Sequence, residues 1–182
     1  MNRFLSMGWQ WMALLLPLLL AVETGVARAE SPSEAQVKGA YLYNFTKFVT
    51  WPSSAFAHEK DPFQLCIMGQ NSLGPILGAL AQKSVGTHPI AIRHPETLHA
   101  VTGCHLLFVT QSEQERIPAL LAAIHNKPIL TVSDLQEFAK EGGMIQFVRI
   151  NDTLRFIIHQ ETALQAGLKI HATLLQVGHV VK

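Results

Sequence analysis

Four short apolar runs and one hairpin pattern, separated by stretches with helical spacing, leave this chain few ways to fold. The runs are FQLCIMG (Phe63 to Gly69), PIAIRH (Pro89 to His94), CHLLFVT (Cys104 to Thr110) and PILTVSD (Pro128 to Asp134). They are apolar almost throughout rather than at every second residue. That is the mark of strands buried on both faces, which occur in parallel sheets covered by helices. The segments between them fit that arrangement. Leu73 to Gln82 reads as a short helix, and Ser112 to His125 as a longer one with Ser112 as N-cap and Glu115 in the capping-box position. Pro118 bends the first turn of that helix or moves its start towards Ile117. Ser133 or Asp134 caps a further predicted helix that runs through Phe138 to a stop at Gly142-Gly143. Met144 to Ile150, Asn151-Asp152 and Thr153 to His159 form a hairpin pattern with a tight turn. The last segment, Glu161 to Lys182, is interrupted at Gly167 and ends in an apolar helix through Leu174, Leu175 and Val177. The predicted fold is a single-domain α/β sandwich: a mostly parallel sheet, an antiparallel C-terminal hairpin at its edge, and helices on both faces.

The N-terminus has a different character. Arg3, an apolar run from Met12 to Val22 and Ala27-Arg28-Ala29 before Glu30 match a secretory signal peptide cleaved after Ala29. The run is too short for a membrane span, which needs about 20 apolar residues. Residues 1–29 are therefore read as the signal and 30–182 as the folded, exported domain. Leaving out Arg3, Glu23 and Arg28, the 14 basic and 13 acidic side chains become 12 and 12. A neutral chain with no basic run is a poor nucleic-acid binder, since phosphate binding depends on clustered Lys and Arg.

Just inside the folded part, Ser31 fits an N-cap, Pro32 the first helical position and Glu34 the closing member of a capping box. Val37, Tyr41, Asn44, Phe45, Phe48 and Trp51 then recur at helical spacing, and Pro52 ends the helix at Trp51. This places Trp51 at a helix end, half exposed, and makes Trp51-Pro52 a candidate contact point for a partner or ligand.

The exported part holds both cysteines, Cys66 and Cys104. An oxidising compartment favours a disulfide between them, with two buried thiols as the alternative. Their spacing is not that of a C-x-x-C redox motif.

Catalytic and metal signatures are sparse, so the reading is of a non-enzyme with no cofactor. The nine histidines, His58, His88, His94, His99, His105, His125, His159, His171 and His179, form no H-E-x-x-H pair. There is no G-x-S-x-G turn. MGQNSLG (Met68 to Gly74) follows a strand and offers backbone N–H groups to an anion, but it lacks the nucleotide-binding spacings. Ser133-Asp134 lies at a strand's carboxyl end, where open α/β sheets bind ligands, and is more simply a cap. Gly142-Gly143 reads as punctuation, with a close-contact backbone surface as the alternative. Arg149 and Arg155, on facing hairpin strands, suit a carboxylate or phosphate clasp, or stand as solvated cations.

KGAYLYNFTKFVTWP (Lys38 to Pro52), CIMG (Cys66 to Gly69), GCHLLFV (Gly103 to Val109), ILTVSD (Ile129 to Asp134), GGMIQFV (Gly142 to Val148) and AGLKIHATLL (Ala166 to Leu175) together resemble the YfiR/HmsC-like periplasmic proteins. The resemblance implies a dimeric α/β protein that represses an inner-membrane diguanylate cyclase by binding its periplasmic sensor region. An OmpA-like outer-membrane lipoprotein would sequester it and lift the block, so the protein would control cyclic-di-GMP and biofilm output. Cys66 and Cys104 match the family's cysteine-bearing strands, and their redox state would affect integrity. The chain departs from the family pattern at Ile157-Ile158-His159, where relatives carry Glu-Ile-Asn, and at His171-Ala172-Thr173, where they often carry Ser-Ser-Lys. These changes put Arg155, His159 and His171 beside Trp51 and Pro52 as partner- or ligand-contact candidates. The alternative function is a periplasmic small-ligand sensor with a strand-end cleft near Trp51, Arg155 and His159.

Overall fold

The computed structural model describes residues 31–70 and 73–181, so the expected signal peptide lies outside the described residues. Helix α1 spans Glu34–Phe48. Its cap is Ser33 rather than Ser31: the Ser33 hydroxyl accepts from the Gln36 amide at 3.3 Å, and the Gln36 side chain accepts from the Ser33 amide at 2.7 Å. The later pair completes a capping box and frees Glu34 for ion pairing. The helix also ends earlier than Trp51. The β-branched pair Val49–Thr50 leaves the helix as a short strand, β1, because it finds a partner in Lys169–Ile170, with Val49 opposite Ile170.

From there the chain lays down β2 (Phe63–Met68), α2 (Ile76–Ala81), β3 (Ser84–Val85), β4 (His88–Arg93) and β5 (Leu106–Val109). A 3₁₀ segment (Gln111–Arg116) leads into α3 (Ile117–Ala123), so Pro118 lies in the first turn of the α-helix, where its missing N–H costs nothing. Then follow β6 (Leu130–Ser133), β7 (Ile145–Ile150), β8 (Thr153–His159), α4 (Gln160–Gln165), β9 (Lys169–Ile170), α5 (Ala172–Val177) and β10 (His179–Val181). The main sheet has the order β10-β8-β7-β6-β5-β2-β4-β3. Strands β4, β2, β5, β6 and β7 are parallel, β7 and β8 form the antiparallel hairpin, and β10 pairs parallel to β8. The α/β architecture is the one the alternation predicts.

Both faces of the central strands are buried, and the side-chain period of two divides them into two cores. Leu65 and Ile67 of β2 with Leu106 and Phe108 of β5 face α1, α2 and α5. Cys66, Met68, Leu107 and Val109 face α3 and the 135–142 turns. Helix α1 seats on the hairpin through rings: Phe45 meets Phe156 edge-on with centroids 5.1 Å apart, and Tyr41 meets Phe156 at 5.4 Å. Its buried face carries Lys38, Gly39, Leu42, Phe45 and Thr46, while Asn44, expected within the stripe, is exposed.

Two segments differ from the sequence reading. Residues 135–142 form turns instead of a helix, because Glu137 adopts a left-handed φ of 62°. Gly143 then lies flat against a buried ring, where a Cβ would stand 2.2 Å from Phe138 Cε1. The C-terminal segment holds two short helices and two strands, and β10 rather than the hairpin forms the outermost edge. The hairpin turn itself is as predicted: Asn151 and Asp152 have φ of 47° and 58°, the type I′ geometry that Asn and Asp tolerate.

Cys66 and Cys104 form a disulfide across 38 residues, joining β2 to the chain two residues ahead of β5. Replacing both by alanine is expected to cost about 4 kcal/mol by the loop-entropy model. Urea unfolding with and without reductant checks this, and the reduced wild type should match the double variant. In the same assay Gly143→Ala should lose about 2 kcal/mol as Phe138 is displaced. Gly78→Ala, in open space on α2, should be neutral or gain up to about 1 kcal/mol.

Candidate functional site

Trp51 follows β1 in extended backbone and is buried, only 9 % exposed. The half-exposed placement expected for it is therefore wrong. Once the helix stops at Phe48, the chain turns inward and not along the surface. The indole Nε1–H donates to the His105 carbonyl at 3.1 Å, and the ring meets Phe63 edge-on at 4.9 Å. Pro52 stands beside Gly167, whose Cβ, if it had one, would be 3.8 Å from the proline ring. His171 joins this neighbourhood: its amide donates to the Phe48 carbonyl at 2.8 Å and its Nε2 lies 3.0 Å from the Thr50 hydroxyl. Trp51, Pro52 and His171 thus share the β1–β9 ribbon, with only Pro52 and His171 reaching solvent.

Arg155 and His159 belong to a different place. Both lie on β8, with Ile157 between them on the same face. Arg155 is exposed opposite Val148. His159 caps α4, its Nδ1 accepting from the Thr162 amide at 3.3 Å. The outer strand carries that face further, with His179 opposite Ile157 and Val181 opposite His159. Trp51 is held on β5 and β2, and β8 lies three strands from β5, about 14 Å. The five contact candidates therefore form two groups, and the proposed small-molecule cleft joining Trp51 to Arg155 and His159 is not formed. The Arg149–Arg155 clasp is not formed either. Arg149 is opposite Leu154, so the two guanidinium groups leave opposite faces of the hairpin, and Arg149 pairs with Glu34 on α1.

A charge cluster that the motif search passed over ties α1 to the end of β6. Lys38 Nζ lies 2.8 Å from Glu34 Oε1 and 2.5 Å from Asp134 Oδ2. Burial pushes the Lys38 ammonium down, but hydrogen bonds to Asp134 and Glu34 outweigh it and hold the group above its ordinary value. The Lys38 hydrogen bond in turn holds the Glu34 carboxyl below the usual range. The i,i+4 spacing of Glu34 and Lys38 was a usable signal, but Asp134 is 96 residues away and announces itself only in three dimensions. Neighbouring Ser133 is buried and donates to the Val109 carbonyl at 2.7 Å while accepting from the Leu135 amide.

The chain reverses its strand order between β2 and β5, the point where open α/β sheets bind ligands outside the carboxyl ends of the strands. Here its own hydroxyls occupy that point. Gly69 has a φ of 97°, and a Cβ there would stand 2.2 Å from Thr110 Oγ1 and 2.5 Å from Ser112 Oγ. The Ser112 hydroxyl also accepts from the Gln70 amide at 2.9 Å, the kind of N–H the loop was expected to offer an anion. Residues 71 and 72 of that loop lie outside the described residues. A cleft of about 420 Å³ runs between α3 and α4, lined by Leu121, His125, Glu141, Met144 and Thr162. Among the described residues no three His, Cys, Asp or Glu side chains converge as a metal site.

The fold and this geometry define an open-sheet α/β protein whose Thr110 and Ser112 hydroxyls crowd Gly69 at the strand ends and whose hairpin presents a mixed apolar and cationic face. The chain belongs to the YfiR/HmsC-like family, whose model matches residues 35–179. No curated protein matches it significantly.

Removing the Lys38 ammonium leaves the half-buried Asp134 carboxylate without its counter-charge. Lys38→Met is expected to cost about 3 kcal/mol in urea unfolding at neutral pH. Adding Asp134→Leu should recover more than about 1 kcal/mol of that loss, since the two residues act as one unit.

Proposed function

We propose that the protein is an exported, non-enzymatic repressor that binds the periplasmic sensor region of an inner-membrane diguanylate cyclase and lowers cyclic-di-GMP signalling, and with it biofilm and exopolysaccharide output. The observation that carries this reading is family membership along 35–179, nearly the whole described chain. Two features support it. Thr110 and Ser112 crowd Gly69 at the strand ends, which narrows the room beside it for a small substrate. The hairpin face, by contrast, is available to a protein surface: Ile150 is 53 % exposed, and Arg155 and Ile157 lie beside it. In this reading residues 1–29 direct export and are removed, and the homodimer and an OmpA-like outer-membrane lipoprotein complete the partner set. Arg155, Ile157 and His159 supply direct contacts, and Pro52 and His171 a second rim that buried Trp51 supports from beneath. Among the described residues no helix is long and apolar enough to cross a membrane.

Deleting the gene is expected to raise cellular cyclic-di-GMP several-fold, and unchanged levels across growth conditions would overturn the reading. An Arg155→Glu/Ile157→Asp double variant should still fold, with a loss of about 1 kcal/mol from half-buried Ile157 and little from exposed Arg155. It should nevertheless fail to restore the low cyclic-di-GMP level of the wild type.

A further inference from the structure

His105 sits where the N-terminal ends of β2 and β5 meet the segment 51–62, and every polar atom it owns is engaged. Its amide donates to the Gln64 carbonyl at 2.9 Å, and its carbonyl accepts from the Leu130 amide at 2.8 Å and from the Trp51 indole. The ring is more restrictive still. The Gln64 amide donates to Nδ1 at 2.8 Å, so that nitrogen carries no proton. Nε2 lies 2.8 Å from the Ala55 carbonyl, which can only accept, so Nε2 carries the ring proton. The ring is held between Phe56, centroids 4.4 Å apart at 16°, and Phe63 at 5.1 Å and 27°. A ring flip would put carbon atoms where Nδ1 and Nε2 lie and forfeit both bonds. A second proton can enter only at Nδ1, and only if the Gln64 N–H leaves.

On its other face Phe56 stacks against His88 at 4.0 Å and 12°. The His88 Nδ1 lies 2.7 Å from the Asp61 carbonyl and therefore donates to it. The two histidines thus bracket Phe56. Between them they hold both ends of a segment that is otherwise solvated, with Ser53, Ser54 and Ala57 through Lys60 exposed. The other charges near His105 are the Asp61 carboxylate, which accepts from the His58 amide at 2.8 Å, and Lys127, which lines the same small cavity of about 220 Å³.

We propose that the segment Trp51–Pro62 is an acid-released clasp: a proton on His105 Nδ1 meets the Gln64 N–H head-on, the rigid ring must leave that position and carries Nε2 away from the Ala55 carbonyl, and the apolar seat formed by Phe56, Phe63 and Trp51 opens. Burial, the largest cause, and the charge of His88 push His105 below the ordinary histidine value of 6.5. The sign follows from that direction. The closed form binds its proton less readily than the open form, so closure is complete above about pH 6.5 and weakens as pH falls below it.

The test follows the Trp51 indole N–H and the Gln64 amide by hydrogen exchange in the full ¹⁵N-labelled chain, from about pH 7.5 to about pH 5, together with the ring nitrogens of His105. After correction for intrinsic exchange, opening of both groups should rise by up to about tenfold per pH unit below 6.5, in step with protonation of His105 Nδ1. His105→Asn places an oxygen where Nδ1 lies, still accepts from Gln64 and does not titrate, so its profile should be flat. His88→Asn keeps a donor for Asp61 and should retain the slope. Flat exchange in the wild type, an equal slope in His105→Asn, or opening while the wild-type ring is still neutral would each overturn the proposal. The last readout needs no variant to fold.

Discussion

One backbone carbonyl, that of His105, holds the two halves of this architecture together. It accepts the Leu130 amide, which begins the β5–β6 pairing, and the Trp51 indole, which brings the end of the α1 segment down onto the sheet. A carbonyl has two lone pairs, and here both are used by groups that would otherwise be buried without partners. From that anchor the chain ahead of β2 has a fixed path: α1 must end before Trp51, β1 must turn towards β9, and Phe56 must close over the imidazole. The sheet supplies the rest by necessity. The central parallel strands β2, β5 and β6, buried on both faces, demand cover, and α1 with its aromatic contacts to Phe147 and Phe156 covers the hairpin side that the shorter helices do not reach.

The ends of α1 are secured in contrasting ways. At its start Lys38 and Glu34 meet Asp134 and Arg149, two positive and two negative groups drawn from the helix, the end of β6 and β7. Such a cluster adds little net stability relative to apolar packing, but it fixes the rotation of the helix, since each charge is costly anywhere else. At its finish the helix gives way to a two-residue strand and a buried indole, which bonds the backbone carbonyl of a residue whose own ring is held by the Gln64 amide and the Ala55 carbonyl. The start of the helix is thus fixed by charge pairs and its finish by hydrogen bonds to the sheet.

Most of the architecture was legible because burial on both faces leaves an apolar run that cannot be mistaken for an alternating surface strand, and because Asn151-Asp152 has turn chemistry written into it. The positions of Ser33 and Phe48 were less so. Two overlapping Ser-x-x-Glu/Gln patterns compete for the cap, and the winner was decided by the need for Glu34 in an ion pair. The helix end was decided by β9, 120 residues further on. The turns at 135–142 were misread as a helix because local patterning does not reveal a left-handed Glu137. The site suffered most. Contact candidates chosen for their residue type proved to lie on two separate surfaces, and Trp51, picked as an exposed aromatic, turned out to be a structural anchor. Lys38 and His105 carry the most connected polar networks yet looked unremarkable in the sequence, since each draws its partners from distant segments.

The departures at Ile157 and His159 acquire a physical meaning from the register. Both lie on the β8 face that α3 and the 135–142 turns leave uncovered, and β10 extends that face with His179 and Val181 instead of burying it. An apolar residue between Arg155 and His159 makes the surface one that gains by being covered while retaining a cation to set orientation. A polar residue in place of Ile157 would leave a surface content in water. The hairpin edge therefore combines a rigid backbone, fixed by six pairs between β7 and β8, with side chains whose exposure nothing within the described chain relieves. Rigidity limits the ordering cost of association and exposed apolar area supplies its driving force, which is why the function proposed above assigns the partner contact to this face rather than to the strand ends.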